Sequence, residues 1–274
     1  RCSSSPAGPA MERKINLDLN EDFSSEPFLD AFVKEITEQD PSFLIGVFIA
    51  IAVVIITIVF LRFFLGTKKS RNAVLLVGLC DSGKSLLFSR LLTGKFVKTV
   101  TSVTENKASY RAKNEKATIW TLVDVPGHDS LRTQLLEKLK DSARAIVFVV
   151  DSAMFQKEVK DVAEFLYSLL TDSVVTKNAP TMLIACNKQD ITMAKSAKLI
   201  QQQLEKELTT LRVTRSAALT SQDGSVRSTT HLGKKGKDFE FSQLSMQVEF
   251  VECSARSSTE DAEIEALEKC LAKL

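Results

Sequence analysis

The chain has 274 residues, 44% of them hydrophobic, with 36 Lys+Arg against 34 Asp+Glu and a formal net charge of +2. That is enough apolar material for one main domain plus extras, and the near-neutral balance argues against a broad basic field, so no direct nucleic-acid binding is expected. The five cysteines, Cys2, Cys80, Cys186, Cys253 and Cys270, are scattered without a CxxC pair, which argues against a zinc site or disulfide framework and for a reducing compartment.

Residues 1–10 are low in complexity and precede the first methionine, Met11; they are expected to lie before the native start. The rest of the segment 1–42 carries Phe28, Leu29, Phe32, Val33 and Ile36 at helical spacing, which fits a short amphipathic helix on a bilayer or a frayed one. Phe43 to Leu61 then runs for nineteen residues without a charge, with Thr57 its single polar side chain. About 20 apolar residues cover the hydrocarbon thickness of a bilayer, and a soluble core helix rarely stays apolar on every face. A transmembrane helix over residues 43–61 is therefore expected, rather than a core helix or a cleaved signal peptide. Acidic residues dominate before it (Glu26, Asp30, Glu35, Glu38, Asp40) and Arg62, Lys68, Lys69 and Arg71 follow it. Basic flanks stay cytosolic, so residues 62–72 form a basic cytosolic linker and the N-terminal segment is lumenal or external. No glycine follows Met11 and the chain ends without a prenylation box, which leaves the spanning helix as the expected anchor.

From residue 73 to 274 strand-like runs alternate with helical ones. Strands are expected at Ala73–Val77, Ala117–Val123, Ala145–Val150, Thr181–Cys186 and Val248–Glu252, with an edge strand at Lys107–Lys113. Helices are expected at Lys84–Leu92, Leu131–Leu139, Lys157–Leu170, Ala194–Leu211 and Asp261–Leu274. Near-continuous apolar strands between helices predict an α/β domain with a mostly parallel six-stranded sheet covered on both faces. Cys80, Cys186 and Cys253 follow or end such strands and are expected to be buried as small hydrophobes. Ligands of such sheets bind at the C-terminal strand ends, and four motifs fall there.

Gly78, Leu79, Cys80, Asp81, Ser82, Gly83, Lys84 and Ser85 match GxxxxGK[ST], with a strand before and a helix after. The glycines turn backbone amides toward phosphate, the helix N-terminus adds partial positive charge, Lys84 reaches the β- and γ-phosphates, and Ser85 ligates magnesium. Asp124-Val-Pro-Gly127 follows the next strand: its carboxylate would hold magnesium through water, and the Gly127 amide would sense the γ-phosphate. Seen alone this is also an ordinary turn. Asn187-Lys188-Gln189-Asp190 ends a strand; its last carboxylate accepts two hydrogen bonds from guanine, a pair adenine does not offer. Ser254-Ala255 follows the last strand, and the Ala255 amide would contact guanine O6; this motif carries weight only in sequence with the other three. Thr99, Val100, Thr101 and Ser102 form a hydroxyl-rich segment where a first switch belongs, with Thr101 or Ser102 as the hydroxyl that closes on magnesium.

These motifs stand in order behind a single span, and LLVGLCDSGKSLLFSRLLTG, SARAIVFVVDSA, KEVKDVAEFLY, LIACNKQD and AKSAKLIQQQLEKEL extend the likeness. From about Asp40 to the C-terminus, the insert near 214–238 excepted, the chain resembles the signal recognition particle receptor beta-subunit family, membrane-anchored P-loop GTPases. The resemblance implies GTP or GDP and Mg2+ as ligands, with Gly78 through Leu86 as the phosphate loop and Thr99 to Ser102 as the switch contact. It implies Gly127 as the γ-phosphate sensor, Asn187, Lys188 and Asp190 as the guanine site and Ala255 as the last base contact. It further implies an endoplasmic reticulum membrane location, with the GTP-loaded form binding the receptor alpha subunit as a heterodimer. Ribosome or translocon and membrane lipid are further expected contacts.

Ras-like GTPases carry glutamine after the DxxG glycine to orient the attacking water; here His128 stands there. It is either a latent catalytic group that a partner positions or a bystander in the switch loop. A full binding site beside incomplete hydrolytic equipment implies slow intrinsic GTP hydrolysis. The insert over residues 214–238 lacks periodicity and ends in Lys234, Lys235 and Lys237. It reads as a mobile surface loop, or as a contact to ribosome or acidic lipid. Three functional readings follow: a GTP-gated tether for the alpha subunit, a cycling GTPase, or a constitutive scaffold with GTP as a structural cofactor. A different endomembrane trafficking GTPase is the family-level alternative.

Overall fold

The structure, a computed structural model, describes residues 41–64, 71–115, 117–221, 232–234, 236–256 and 264–274. The expected amphipathic helix at residues 28–36 and most of the basic linker lie outside the described residues. The chain divides into two units, Arg1–Lys68 and Lys69–Leu274.

The first unit contributes helix α1 (Pro41–Phe64), 24 residues long. At 1.5 Å rise per residue this covers about 36 Å, enough for the apolar thickness of a bilayer. The stretch Ile45–Arg62 is apolar enough to cross a membrane and none of it is buried. Ile45, Phe48, Ile56 and Val59 are all more than half exposed. Thr57 donates to Val53 O at 2.6 Å, so the hydroxyl is satisfied within the helix.

The second unit is an α/β domain. Its strands are β1 (Ala73–Val77), β2 (Asn106–Arg111), β3 (Ile119–Asp124), β4 (Ala143–Asp151), β5 (Thr181–Asn187) and β6 (Val248–Glu252). They form one sheet in the order β2-β3-β1-β4-β5-β6. All neighbours pair parallel except β2 with β3. The helices are α2 (Lys84–Thr93), α3 (Asp129–Leu139), α4 (Phe155–Leu170), α5 (Ser173–Asn178), α6 (Ala197–Ser221) and α7 (Glu265–Ala272).

Strand β1, AVLLV, is buried along its whole length because both of its faces are covered. Its alternation feeds two cores. Ala73, Leu75 and Val77 pack with Phe148, Phe155, Leu166, Ile184 and Leu204. Val74 and Leu76 pack with Leu87, Leu122, Val147 and Leu267. On α6, Ile200, Leu204 and Leu208 recur every four residues and are fully buried, which makes one apolar stripe against the sheet.

Beyond shifts of a few residues at element ends, the structure differs from the sequence expectation in helices α6 and α5 and in the insert between α6 and β6. Helix α6 starts at Ala197 rather than Ala194 and runs to Ser221, into the expected loop. The added stretch contains Arg215, Ala217, Ala218 and Leu219, good helix formers that the Ser/Thr content masked. The far side of the insert is held in place too. Leu232 is buried, and Arg212 donates to Leu232 O, Lys234 O and Lys237 O. The six-residue α5 was not expected. Its signal is Asp172, whose carboxylate accepts from Val174 N (2.9 Å) and Val175 N (3.0 Å) as an N-cap.

Candidate functional site

Every C-terminal strand end on the parallel part of the sheet carries a residue of one cluster, polar in all but β1. Gly78 follows β1, Asp124 ends β3, Asp151 ends β4, Asn187 ends β5 and Ser254 follows β6. Strand register levels them: Leu76 pairs with Asp124 and Asp151 with Asn187.

The phosphate loop turns through Asp81 (φ 59°) and Gly83 (φ 91°) into α2 at Lys84. A Cβ on Gly83 would lie 2.3 Å from Asn187 Nδ2, so both backbone and space require glycine. Asn187 is fully buried. Its Nδ2 donates to Ser82 O at 2.8 Å and its Oδ1 accepts from Ala255 N at 3.0 Å. One side chain thus ties the first motif to the last. The Ala255 amide, expected to face guanine O6, is engaged within the protein here.

Lys84 is buried and its Nζ donates to Leu79 O at 2.6 Å. Burial lowers its ammonium from the ordinary lysine range, and the nearby Asp124 carboxylate opposes that most strongly. A cation folded into its own loop, below the first amides of α2, makes an anion cradle.

A second corner collects oxygen. Ser85 Oγ donates to Asp124 Oδ2 at 2.7 Å. Ser102 Oγ lies 2.8 Å from Ser85 Oγ and donates to Asp124 Oδ2 at 3.3 Å. Asn106 Nδ2 also donates to Asp124 Oδ2, at 3.3 Å. Asp124 is fully buried, yet among the described residues its Oδ1 has no hydrogen-bond partner. A buried acceptor beside two hydroxyls suits a hard divalent cation. Of the two switch candidates, Ser102 reaches this corner and Thr101 is exposed, as are Thr99 and Val100.

Gly127 is buried against the phosphate loop: a Cβ there would lie 2.7 Å from Cys80 N and 2.9 Å from Lys84 Nζ. His128 is exposed at the N-terminus of α3, its Nδ1 3.1 Å from Ser130 Oγ. Arg132 is stacked 4.1 Å above the Phe165 ring and donates to Gly127 O at 3.4 Å. Cys80 is exposed, against expectation, because it sits on the outward crest of the loop; Cys186 and Cys253 are buried as expected. Burial pushes the Cys253 thiol up to about 12. A cavity of about 1120 Å³ lies beside this loop between α3 and α4. Its lining includes Cys80, Gly127 and His128 but none of Lys84, Asn187 or Asp190.

At the base end, Asp190 is exposed and its Oδ1 accepts from Ser254 Oγ at 2.6 Å. Lys188 takes a left-handed backbone (φ 66°), which costs a non-glycine residue about 1 kcal/mol. Its ammonium pairs with Asp151 Oδ2 at 2.6 Å. The sequence reasoning missed Asp151, Ser152 and Gln189. Gln189 Nε2 donates to Ser152 Oγ and Lys195 O, both at 3.0 Å, and clasps the turn. The available signal was an aspartate closing a buried strand at the same sheet edge as the other motifs.

Residues 69–248 match the family model described as signal recognition particle receptor beta subunit. The mouse signal recognition particle receptor subunit beta is 59% identical over 252 residues, covering 91% of this chain and 93% of that one. The chain belongs to the signal recognition particle receptor beta-subunit family. The solved structure of the mammalian SRP receptor contains a chain 64% identical, with a TM-score of 0.65, covering 73% of this chain and 98% of that one. The Chaetomium thermophilum receptor SRb, solved with GDP and Mg, is 25% identical with a TM-score of 0.57, covering 75% of this chain and 98% of that one. The chain therefore shares its fold with these solved receptor chains.

Proposed function

We propose that this chain is the GTP-binding, membrane-anchored subunit of the signal recognition particle receptor. In its GTP form it holds the receptor alpha subunit at the endoplasmic reticulum membrane for co-translational protein targeting. The observation that carries the reading is the half-buried corner of Ser85, Ser102 and Asp124 beside an intact GxxxxGK[ST] loop, in a chain of this family. The GDP- and Mg-bound Chaetomium thermophilum relative supports the ligands. Helix α1 is the anchor; the charge asymmetry of its flanks supports a cytosolic nucleotide domain and a lumenal N-terminus.

Gly78 through Leu86 would hold the phosphates with backbone amides, and Lys84, now bonded to Leu79 O, would supply positive charge to the β- and γ-phosphates. Ser85 and Ser102 would hold magnesium directly and Asp124 through water. The ion would neutralise phosphate charge and draw the switch segment in. Gly127, pressed against Cys80 and Lys84, couples the γ-phosphate to α3. Asp190 accepts from the guanine N1 and N2 hydrogens, while Asn187 and Ser254 fix the loops around the base. His128 is exposed at the N-terminus of α3, its Nδ1 against Ser130 Oγ of the same helix, which fits slow hydrolysis that a protein partner accelerates.

The test uses the full chain in nanodiscs. Co-purified nucleotide is identified by chromatography, and alpha-subunit capture is repeated with Asp190→Asn, which exchanges guanine for xanthine preference. Bound GTP in the wild type, with mutant capture requiring XTP over XDP, supports the gated tether. Capture indifferent to nucleotide makes GTP a structural cofactor and ends the switch reading.

A further inference from the structure

Asp151 lies outside the four nucleotide motifs, yet it is 5% exposed and fully engaged. Its Oδ1 accepts from Ala153 N at 2.9 Å and Met154 N at 3.0 Å, which shapes the turn that starts α4. Its Oδ2 holds Lys188 Nζ at 2.6 Å. Around this pair, Ser152 N donates to Asn187 O (3.0 Å) and Lys195 N to Ser152 O (2.9 Å). The β4–α4 turn and the Asn187–Asp190 turn are thus one laced unit. Within it Lys188 alone carries a left-handed backbone. Strained backbone persists where surrounding contacts over-determine it, and the ion pair is the side-chain contact that holds this residue.

We propose that Asp151 is a positioning residue for guanine-nucleotide binding: through Lys188 it holds the Asn187–Asp190 turn in the shape that presents Asp190 to the base. The two carboxylate oxygens divide the work. Oδ1 builds the local turn, and Oδ2 acts across the sheet edge on Lys188. Asparagine at this position can keep the first job, because its carbonyl still accepts from both amides. It loses the second, because an amide NH2 faces the ammonium. The role rests on the guanine-nucleotide reading above.

The experiment measures dissociation of a fluorescent GTP analogue from the full chain in nanodiscs, for wild type, Asp151→Asn, Lys188→Met and the double variant, with thermal unfolding followed in parallel. The expected result is dissociation at least about tenfold faster for Asp151→Asn, the scale of a lost hydrogen bond to a charged group. Unfolding should shift little. In the Lys188→Met background, Asp151→Asn should add less than about twofold, since the contact it breaks is already gone. Full additivity of the two substitutions would overturn the proposal, because a merely structural Asp151 acts whether or not Lys188 is present. So would unchanged dissociation in Asp151→Asn. Failure of the wild type itself to retain the analogue would instead sink the guanine-nucleotide reading.

Discussion

Ser254 Oγ donates to Asp190 Oδ1 at 2.6 Å, joining the loop after β6 to the loop after β5 across 64 positions of sequence. The serine of the last motif therefore holds the carboxylate proposed to select the base. Asp190 is exposed, so its direction depends on this bond. Ser254→Ala should weaken guanine-nucleotide affinity about tenfold, the scale of a hydrogen bond to a charged group. Preference for guanine over xanthine should be kept. Competition binding with GDP and XDP reads both; unchanged GDP affinity would count against the orienting role.

The switch hydroxyls separate cleanly. Ser102 lies on Ser85 and Asp124, whereas Thr101 is exposed. Ser102→Ala should raise the magnesium concentration needed to retain GTP about tenfold or more, as losses around bound ions do, and Thr101→Ala should leave it near wild type. A magnesium titration of GTP dissociation distinguishes them. The reverse ranking would mean that the segment slides by one residue when nucleotide binds.

Thiol chemistry reports on the same loop. Cys80 is exposed on the crest of the phosphate loop, while Cys186 and Cys253 are buried, with thiols pushed up in pKa by burial. The thiolate is the reactive form, so at pH 8 iodoacetamide should modify Cys80 first and leave both buried thiols intact. Added GTP and magnesium should slow the Cys80 reaction. Peptide mass spectrometry after timed quenching reads each site, and modification of Cys186 before Cys80 would contradict the burial described.

Asp172 offers a pH test of stability. Burial alone would raise its carboxyl, but the Lys140 hydrogen bond at 2.6 Å and the Val175 and Val174 amides outweigh it and hold it below the usual range. A depressed carboxyl stabilises the fold above its unfolded value, near 3.9, and that contribution disappears as pH falls through the folded value. Asp172→Ala should cost about 1 kcal/mol at pH 7, typical of a lost N-cap. Denaturant unfolding should show the gap to wild type closing below about pH 4. A gap that stays constant down to pH 2 would show that the charge contributes nothing.

Much of the site was legible because its chemistry is local. The phosphate loop needs glycine at a left-handed turn, lysine and serine in fixed spacing, and all three lie within eight residues. The buried strands were legible because runs such as AVLLV and TMLIAC suit a sheet covered on both sides. The α6 extension was hidden by hydroxyl-rich composition, and the six-residue α5 by its length, too short for periodicity to speak.

The sequence by itself determined the apolar α1, the alternation of strands and helices, and the identities of Lys84, Ser85, Asp124, Asn187 and Asp190. Each rests on hydrophobic run length or on the valence of a side chain, both properties of neighbouring residues. Only the tertiary structure decided that Ser102 rather than Thr101 meets Asp124, that Asn187 bridges Ser82 to Ala255, and that Asp151 holds Lys188. Those contacts join residues 22 to 105 positions apart. They form because the strand order places β1 between β3 and β4, and β5 between β4 and β6, bringing the strand ends level at one edge.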